Sequence, residues 1–587
     1  MMPDNRIKNA RWLLAGILLI TFLAYLPSLN NGFTNWDDPE QVIENRDIQE
    51  LSFSNTSGIF STFYVGMYQP VTTQVYGVVY SIFGADALAF HSVSLLLHLL
   101  NVILVFLLVR KFSRRDSLAL ITAALFALNP MQTESVAWIS AMSNLLYTTF
   151  YLAGLITYID YVRRKQTKNL LFTLSFFMLS LLSKPAAVTF PIVIFLADLY
   201  FRRRISVRLI LEKAPFLLLS LAIGLLIIFA REEAGHIVDM SERFTWLERT
   251  SMIFYALSYY FAKLFIPLNL SAFHPYPPGG ALPLQFYFAP LIPLMLVFLL
   301  FRLKGEIRRQ VMAGLLFSLL TIAVVLEIIP IGAVVVKERY VYLPSVGVYY
   351  AFAALLLFFV GYHKKYQWIT PVLTILMVVF FSIITFSRAG IWQDSFTLWN
   401  DVISKHPEAS VAYINRGNAW QEKGDYNRAI ADYSMAVKAE PNAADAYLNR
   451  GLAYYKLEST TLALQDFNQA ILLGANDAEA YNSRGLLRAS IGQLDMALSD
   501  FVQASVNDPL YVDAWINQGL MYANKVDFKS AMHAFSRAID LDKESAKAYF
   551  WRGMVKIQLG TVAEACSDFE TAVSYGWPKD QVPGICR

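Results

Sequence analysis

The sequence predicts an all-α fold in two parts, a polytopic membrane helix bundle followed by an α-solenoid of helical hairpins. Of the 587 residues, 56% are hydrophobic, which is too apolar for a soluble protein of this length. Up to about residue 388, long apolar runs alternate with short polar loops, and beyond it no run could cross a bilayer. We therefore expect a membrane domain at 1–388, a linker or capping helix at 389–409, five repeats at 410–579 and a tail at 580–587.

The first apolar run extends from Trp12 to Leu29 and follows the basic residues Arg6, Lys8 and Arg11. It lacks a clear small-residue cleavage site, so we interpret it as an uncleaved anchor. The excess of basic residues on cytoplasmic loops predicts a cytoplasmic N-terminus, in the inner membrane if the protein is bacterial. The segment from residue 30 to about 85 then forms the first outer loop.

Further basic clusters mark the other cytoplasmic loops. The run 251–267 carries Ser251, Ser258 and Lys263, so we interpret it as an amphipathic helix at the outer interface or within the bundle. Without this run, the chain is predicted to have eleven spans in total, which places the C-terminal repeats outside. The clusters are Arg110-Lys111 with Arg114-Arg115, Arg163-Arg164-Lys165 with Lys168, Arg202-Arg203-Arg204, residues 302–309 and His363-Lys364-Lys365. The spans are predicted near 11–29, 87–110, 117–136, 144–162, 168–183, 186–201, 213–230, 286–302, 311–330, 344–361 and 367–387.

Two adjacent acidic residues, Asp37 and Asp38, stand in the first outer loop between Trp36 and Pro39. Carboxylates beside a membrane could act as a general base, or they could bind a divalent cation. The alternative is a hydrated loop that only ends a helix. The sequence indicates no cofactor with certainty.

Three more ionisable residues are predicted at the same membrane face. Glu134 ends the third span, Lys184 separates the fifth from the sixth, and Arg339 precedes the tenth. Ionisable groups at membrane depth are functional candidates, and the planar fork of an arginine suits a phosphate. Alternatively, the first two only end helices at the interface, and the arginine pairs with Glu338 or another nearby carboxylate. For His91 and His98, which share one face of the second span, packing is the favoured interpretation.

The C-terminal part repeats with a period of 34 residues. Each repeat begins with an aromatic residue and a glycine four positions later, and alanine and a second aromatic follow at fixed offsets. This pattern is typical of the tetratricopeptide repeat, whose helical hairpins stack into a superhelix with a concave groove. The five starting positions are Tyr413, Tyr447, Tyr481, Trp515 and Tyr549.

The order of these segments resembles the transmembrane-and-tetratricopeptide O-mannosyltransferase family and its bacterial relatives, which are glycosyltransferases of the GT-C fold. The resemblance covers nearly the whole chain. The motifs that carry it are Asn35-Trp36-Asp37-Asp38, Tyr68-Gln69-Pro70, Pro130 to Trp138, Ser183-Lys184-Pro185, Glu338-Arg339-Tyr340 with Tyr342-Leu343-Pro344, and Trp392 ahead of the repeats.

The resemblance implies an inverting transfer of a mannose-like hexose from a polyprenyl-phosphate donor in the bilayer to a hydroxyl of a protein or glycan. Asp37 or Asp38 would be the base, with Glu134 as a further catalytic carboxylate. The lipid phosphate would be held by Arg339, Lys184, Tyr340 and Tyr342. The chain departs from bacterial relatives at Ser143-Asn144, where they carry an acidic residue, and at Glu338, where they carry aspartate.

Within the repeats, Asn415, Asn449 and Asn517 occupy one repeat position. This is similar to the asparagine ladder of another protein O-glycosyltransferase, in which side-chain amides hold a peptide backbone, and it implies that the groove binds the acceptor. The alternative is that these asparagines cap helices or pack inside the stack. Cys566 and Cys586 could form a disulfide on the outer side.

Other functional classes find less support in the sequence. A net charge of +4 predicts no nucleic-acid partner. A transporter would favour paired inverted repeats with broken helices, which are not evident. The expected function is therefore glycosyl transfer, and the alternative is a non-catalytic membrane scaffold whose repeats recruit envelope partners.

Overall fold

The computed structural model describes residues 9–50, 52–64, 66–233, 244–277, 282–326, 334–361, 364–474 and 477–586. The chain forms two compact units, Met1–His406 and Pro407–Arg587, and both are built mainly from α-helices, as the sequence predicts. Parts of several predictions lie outside the described residues: Arg6 and Lys8 of the first basic cluster, the end of the ninth span at 327–330, His363, and Arg587 of the tail.

The first unit is a bundle whose apolar helices coincide with the eleven predicted spans. Among the described residues, five segments are long and apolar enough to cross a membrane, and six shorter apolar helices accompany them. These segments identify an integral membrane protein. The long segments are Ala87–Ser113, Ile139–Arg164, Leu284–Arg302, Gly305–Val325 and Ile369–Trp392; the shorter helices are Ala10–Ala24, Asp116–Leu128, Thr167–Ser183, Pro185–Tyr200, Ala214–Phe229 and Ser345–Gly361.

Large apolar side chains cover the outside of this bundle. In the segment Leu284–Arg302, Leu294, Met295 and Phe301 are all more than half exposed. A soluble protein rarely exposes such a surface, whereas a bilayer solvates it. Inside the bundle, glycines allow two helices to touch, since a Cβ atom on Gly314 would lie only 2.5 Å from the carbonyl oxygen of Gly347.

The basic residues interpreted as cytoplasmic markers also end two long helices. The helix Ala87–Ser113 begins at Asp86, whose carboxylate accepts a first-turn N–H, and ends at Arg114 with φ 59°. Lys165 ends the helix Met142–Arg164 in the same left-handed conformation, φ 55°. Basic residues fill the last turn of both helices, where positive charge is favourable beside the terminal carbonyl groups.

One predicted span is shorter than expected because its helix stops at Asn129. The sequence predicts a span near 117–136, but the helix is Asp116–Leu128 and Asn129 is extended, ψ 129°. Pro130 disfavours helical geometry at the residue before it. Short, buried helical turns follow, so Glu134 lies in an irregular buried segment rather than at the end of a continuous helix.

The segment predicted as the first outer loop is more structured than the sequence indicates. It contains the helix Pro70–Phe83, which Gly84 ends at φ 65°. Tyr76 on its buried face donates a hydrogen bond to the carbonyl oxygen of Ile139, 2.8 Å. The helix has 14 residues and is not among the candidate spans or the shorter apolar helices of the described chain.

A pair of short strands and the last helix of the first unit differ from what the sequence predicts. The strand His274–Pro275 pairs antiparallel with Val334–Val336. The helix Ser395–Lys405 belongs to the first unit, whereas we expected a linker or capping helix at 389–409. Trp399 of this helix is fully buried. The first unit therefore includes this helix, beyond the predicted end of the membrane domain at residue 388.

The remaining helices of the first unit are amphipathic or short. Trp246–Lys263, predicted as amphipathic over 251–267, starts at a capping box of Thr245 and Glu248 and is not among the candidate spans of the described chain. Five of the apolar segments given above combine an α-helix with an adjoining short helix or turn; their main α-helices are Met142–Arg164, Phe190–Tyr200, Leu291–Arg302, Gly305–Ile322 and Ile369–Ala389. The short α-helices of this unit are Arg46–Gln49, Phe53–Ile59, Thr133–Ala137, Val207–Leu211 and Leu284–Phe288.

The second unit consists of five helical hairpins, as the 34-residue period predicts. In each hairpin a glycine of the first helix lies against an aromatic ring of the second, and a Cβ atom on Gly417 would come within 2.6 Å of the Tyr433 ring. The hairpins are Ser410–Glu422 with Tyr426–Ala439, Ala444–Lys456 with Thr460–Leu472, Asp477–Ser490 with Leu494–Asn507, Val512–Asn524 with Phe528–Leu541, and Ala546–Gln558 with Val562–Ser574.

An arginine–aspartate pair joins the two helices in four of the repeats. Arg450 donates through Nε and Nη2 to the two oxygens of Asp466, both at 2.8 Å. Its Nη1 donates to the hydroxyl of Ser434 in the preceding repeat, 3.2 Å. The planar guanidinium thus ties its own hairpin to the neighbouring one. The equivalent pairs are Arg416–Asp432, Arg484–Asp500 and Arg552–Asp568.

The fourth repeat replaces this ion pair with neutral groups. Gln518 stands in the arginine position and Ala534 in the aspartate position. The amide of Gln518 donates to the carbonyl oxygen of Phe501 at 3.0 Å and to the hydroxyl of Ser505 at 2.5 Å, both in the third repeat. At the position of Ser505 the other repeats carry Val437, Ile471, Ile539 and Val573.

A disulfide between Cys566 and Cys586 fastens the segment that follows the last repeat. Trp577 in that segment stacks on Phe550, with ring centroids 4.3 Å apart. The sequence left the state of these cysteines open. The bond and the stacked ring together close the C-terminal end of the array, which would otherwise expose an apolar helix face.

Candidate active site

The loop that carries Asp37 and Asp38 is held by the chain that follows the last predicted span. The backbone N–H of Asn35 donates to the hydroxyl of Ser395, 2.9 Å. The side-chain oxygen of Asn35 accepts from the indole N–H of Trp399, also at 2.9 Å. The helix Ser395–Lys405 therefore fixes the position of the two aspartates.

Four tryptophans form a cluster beside this loop. Trp36 stacks on Trp138 with centroids 4.7 Å apart, and Trp138 stacks on Trp392 at 5.3 Å. Trp399 meets Trp36 at a tilted angle, 5.2 Å. Such rings contribute a large buried area with few rotatable bonds. The backbone next to Trp36, which carries Asp37, is thereby anchored.

The two aspartates have different surroundings, and Asp38 is fully engaged. It is only 1% exposed. One carboxylate oxygen accepts from the backbone N–H and the hydroxyl of Thr34, at 2.8 and 2.9 Å. The other accepts from the backbone N–H of Ser140 at 3.1 Å and from its hydroxyl. These four hydrogen bonds occupy the lone pairs of the carboxylate, so Asp38 fastens its own loop to the buried turns after Asn129.

Asp37 is half-buried, and no other described residue donates a hydrogen bond to its carboxylate. Burial raises the pKa of Asp37 to about 6; the charge of Arg339 opposes this rise, and those of Asp38 and Glu40 add to it. A carboxyl group with this pKa is mostly ionised at neutral pH and is still basic enough to accept a proton in a reaction.

Glu134, which we predicted to be catalytic, is engaged with Arg339. One oxygen of this buried carboxylate accepts from the backbone N–H of Arg339 at 2.8 Å, and the other accepts from the guanidinium. The guanidinium also lies 5.1 Å from the centroid of the Trp138 ring. The carboxylate partner of Arg339 is thus Glu134 and not its neighbour Glu338, and Glu134 fixes the orientation of the arginine.

Three cations surround the ring of Tyr340. The ammonium groups of Lys184 and Lys337 and the guanidinium carbon of Arg339 each lie 5.3 Å from its centroid. Lys184 is held by a hydrogen bond to the side-chain oxygen of Asn144, 2.6 Å. Three positive groups around one ring can together attract an anion such as a phosphate.

Tyr342, predicted to contact the donor phosphate, lies inside the helix bundle. It is fully buried, and its hydroxyl meets Nδ1 of His98 at 2.7 Å and the amide of Asn101 at 3.3 Å. Nε2 of His98 lies 3.0 Å from the carbonyl oxygen of Ala127, so that nitrogen carries the proton and Tyr342 donates to Nδ1. The hydroxyl therefore joins helices and is not placed to hold a ligand, and His98 is a packed residue.

Glu338 forms a second buried network beside the site. Its Oε1 accepts from the backbone N–H of Ser271 at 2.8 Å, from His274 at 3.2 Å and from Tyr259 at 3.1 Å. Although burial alone would raise it, the hydrogen bond from His274 and the charge of Arg388 hold the pKa of Glu338 below its usual range. Glu338 thus remains an ionised structural residue.

The predicted asparagine ladder is only partly placed to bind a peptide. Asn517 is 5% exposed, and its amide donates to Asn482 at 2.8 Å, so packing inside the stack is its role. Asn449 is partly exposed and donates to Asn418 at 3.3 Å. For Asn415 and Asn449 the acceptor-binding role stays a prediction.

A ready-made cation site is not formed around the two aspartates. Over the described ranges, no group of three or more His, Cys, Asp or Glu side chains is arranged to hold a metal ion. Since the oxygens of Asp38 are occupied by hydrogen bonds, Asp37 alone of this pair could contribute a ligand.

Sequence reasoning assigned no role to Lys337, Asn144 and Ser140. Lys337 stands directly before the Glu338-Arg339 motif, so its position and charge were a usable signal. Asn144 and Ser140 are small polar residues among many in one apolar region. Their importance depends on contacts with Lys184 and Asp38 that only the folded chain creates.

Comparison with protein families identifies the second unit. A model described as "TPR repeat" matches residues 417–458, and models described as "Tetratricopeptide repeat" match 482–543, 444–476 and 546–575. The second unit is therefore an array of tetratricopeptide repeats. A crystal structure of MamA is 26% identical in sequence to this chain. The match covers 27% of this chain and 93% of the MamA chain, with a TM-score of 0.26.

Similarity to curated proteins extends into the first unit. A Caenorhabditis elegans protein O-mannosyl-transferase is 26% identical over 425 residues, which cover 70% of this chain and 58% of that protein. A Drosophila melanogaster protein O-mannosyl-transferase is 28% identical over 184 residues, 30% of this chain and 21% of that protein. The chain thus spans less than two thirds of either relative. These matches confirm the resemblance that the sequence motifs indicate.

Proposed function

We propose that the first unit is a glycosyltransferase that moves a mannose-like sugar from a polyprenyl-phosphate donor to a hydroxyl of a protein or glycan at the extracytoplasmic face. The observation that carries the proposal is the half-buried Asp37, with a pKa of about 6, in the field of Arg339 and Lys337. The name of the relatives, protein O-mannosyl-transferase, supports the sugar and a protein acceptor. The GT-C fold is the architecture that the resemblance implies.

In the proposed reaction, Asp37 accepts the proton of the acceptor hydroxyl while its oxygen attacks the anomeric carbon of the sugar. The bond from that carbon to the phosphate oxygen breaks, and the lipid phosphate leaves with the electron pair. Lys184, Lys337 and Arg339 stabilise the charge that develops on the phosphate. Attack from the side opposite the leaving group inverts the anomeric configuration.

Two of the predicted catalytic carboxylates act as positioning residues in this proposal. Asp38 holds the loop that carries the base, through Thr34 and Ser140. Glu134 holds the guanidinium of Arg339 toward the cation cluster. All four lone pairs of the Asp38 carboxylate are occupied, and both oxygens of Glu134 are engaged with Arg339.

The proposal is tested by Asp37→Asn in the purified full chain. We expect transfer to fall by about 10²–10⁴-fold with an unchanged melting temperature, because the substitution removes a proton acceptor but no hydrogen bond of the fold. The matched control is Glu40→Gln, which neutralises an exposed carboxylate in the same loop and should leave transfer within about twofold. Undiminished transfer by Asp37→Asn would refute the assignment of the base.

A membrane-anchored scaffold is the second candidate function, and the five-hairpin array favours it because such arrays commonly bind proteins. Incubating the full chain with a panel of polyprenyl-phosphate sugars and a hydroxyl-bearing peptide separates the two. A scaffold would bind the peptide and leave every sugar on its lipid. A transferase would glycosylate the peptide with at least one donor.

A further inference from the structure

A cavity of about 520 Å³ lies between the helix Trp246–Lys263 and the apolar segment Leu284–Arg302. Two of its lining residues, Tyr259 and His274, are hydrogen-bonded to the buried Glu338. The Tyr340 cation cluster does not line it, and the proposed transfer reaction uses none of the residues that do. The volume is in the range of small-molecule sites in proteins.

One wall of the cavity is basic. Lys263, His274 and His406 line it, and no carboxylate is among the described lining residues. Glu338, the carboxylate bonded to His274, is almost fully buried and already accepts from three donors. An anion that entered would therefore meet basic groups without a competing exposed carboxylate.

The lining residues from the segment Leu284–Arg302 are mostly apolar, and this segment continues into a surface suited to lipid. Ala289, Phe288 and Ile292 line the cavity from the segment Leu284–Arg302. Along the same segment, Leu291 and Met295 are more than half exposed. A ligand with its charged end in the cavity could thus lay an aliphatic chain along this helix, which is itself long and apolar enough to cross a membrane.

We propose that this cavity binds the head group of an anionic, phosphate-bearing lipid. Lys263 and the two histidines hold the phosphate, the amides of Asn269 and Gln285 hydrogen-bond the remaining polar groups, and the lipid chain follows Leu284–Arg302. The phosphate could belong to an anionic phospholipid of the bilayer or to a polyprenyl phosphate. The chemistry of recognition is shared by both.

The test is native mass spectrometry of the full chain released from detergent after addition of phosphatidylglycerol, a polyprenyl monophosphate or phosphatidylcholine. The polyprenyl arm uses a Lys184→Gln/Lys337→Gln background, so that Arg339 is the one cation left of the three around Tyr340 and binding there is weakened. We expect retention of at least one of the two anionic lipids and little retention of phosphatidylcholine. Binding is read directly, so the outcome does not depend on sugar transfer.

Two variants locate the site. Lys263→Gln should weaken retention about tenfold, the effect of losing one charge-assisted contact. Ala262→Trp should abolish it by filling the cavity without changing its charge. Lys304→Gln, which removes an exposed lysine beyond the other end of the same segment, is the matched control and should retain lipid as the parent chain does.

The anionic lipid that is retained identifies the source of the phosphate. Retention that survives both Lys263→Gln and Ala262→Trp would overturn the proposal, and so would equal retention of phosphatidylcholine. Loss of retention in the Lys304→Gln control would also overturn it, because the effect would then follow overall charge rather than this cavity.

Discussion

Asp37 and Asp38 are neighbours in sequence, but their carboxylates have different chemistry. Asp38 accepts four hydrogen bonds from Thr34 and Ser140. Asp37 accepts none from the part of the chain that the structure describes, and burial raises its pKa. A carboxylate that is desolvated without hydrogen bonds gains basicity, whereas one that is fully hydrogen-bonded serves as a structural anchor.

The raised pKa of Asp37 predicts how transfer depends on pH. We expect kcat/KM to fall by about tenfold per pH unit below about pH 6, because the base must be ionised and its pKa of about 6 lies above that of an ordinary aspartate. Initial rates at limiting acceptor between pH 4.5 and about pH 8 provide the measurement. A profile that stays flat down to about pH 5 would contradict a base of this pKa.

Tyr342 and Lys337 should respond to substitution in opposite ways. Tyr342→Phe leaves the buried nitrogen of His98 without its donor, so we expect a loss of about 1–3 kcal/mol in stability and little change in transfer. Lys337→Gln removes one cation beside Tyr340 and should lower transfer about tenfold or more with an unchanged melting temperature. The measurements are the transfer rate and the melting temperature of both variants. A larger loss of transfer in Tyr342→Phe than in Lys337→Gln would contradict the structural role of Tyr342.

Residue types and motif order were enough to find the region of the site. They were not enough to tell which of its carboxylates is the base and which hold other residues in place. Both aspartates, Glu134 and Arg339 stand in recognisable motifs. Which aspartate is engaged depends on Ser140, about a hundred positions further along, and no local pattern encodes that contact. The pairing of Glu134 with Arg339 likewise crosses two hundred positions.

At the scale of elements, the repeat array is joined by the arginine–aspartate pairs. Each arginine meets an aspartate of its own hairpin, and in three of the four pairs it also reaches a polar residue of the preceding one. These bonds are charge-assisted and partly shielded from water. They complement the apolar contacts of glycine, alanine and aromatic residues that define the repeat pattern.

Removing one of these aspartates should loosen its hairpin locally. In Asp466→Ala the half-buried guanidinium of Arg450 loses its carboxylate, and we expect a cost of about 1–3 kcal/mol. Hydrogen exchange of residues 444–472 in the full chain measures it as faster exchange than in the parent. Asp445→Ala, an exposed aspartate in the same hairpin, is the control and should change exchange only slightly. Equal exchange in both variants would refute a stabilising role for the pair.

Helices with long apolar runs or a fixed period were predictable, and irregular elements were not. The eleven apolar helices and the five hairpins follow from hydrophobic length and from the 34-residue repeat. The buried turns after Asn129, the helix Pro70–Phe83 and the strand pair at His274 have no comparable signal. They depend on packing against distant segments, as the bond between Tyr76 and Ile139 shows.

At the scale of the whole molecule, the disulfide offers a test of the predicted topology. Cys566 and Cys586 are the two cysteines of the chain, and they are bonded. Disulfides persist in oxidising compartments, which agrees with an extracytoplasmic array. In intact cells we expect a membrane-impermeant maleimide to label neither cysteine before an impermeant reductant is added, and both afterwards.

A cysteine in a predicted cytoplasmic loop provides the control for this experiment. In the Cys566→Ser/Cys586→Ser background, Lys168→Cys should be labelled only after the membrane is permeabilised. Labelling of Cys566 and Cys586 that also requires permeabilisation would place the array in the cytoplasm and would overturn the predicted orientation.

The neutral joint between the third and fourth repeats has a consequence for how the array can change in length. Hairpins with the arginine–aspartate pair are close to interchangeable modules, so recombination could duplicate or delete one with little local penalty. The fourth hairpin is different, since Gln518 needs Ser505 in the hairpin before it and finds Val or Ile at that position elsewhere. We therefore expect the third and fourth hairpins to be kept together as a pair. The number of repeats should vary before or after this pair, and not between its two hairpins.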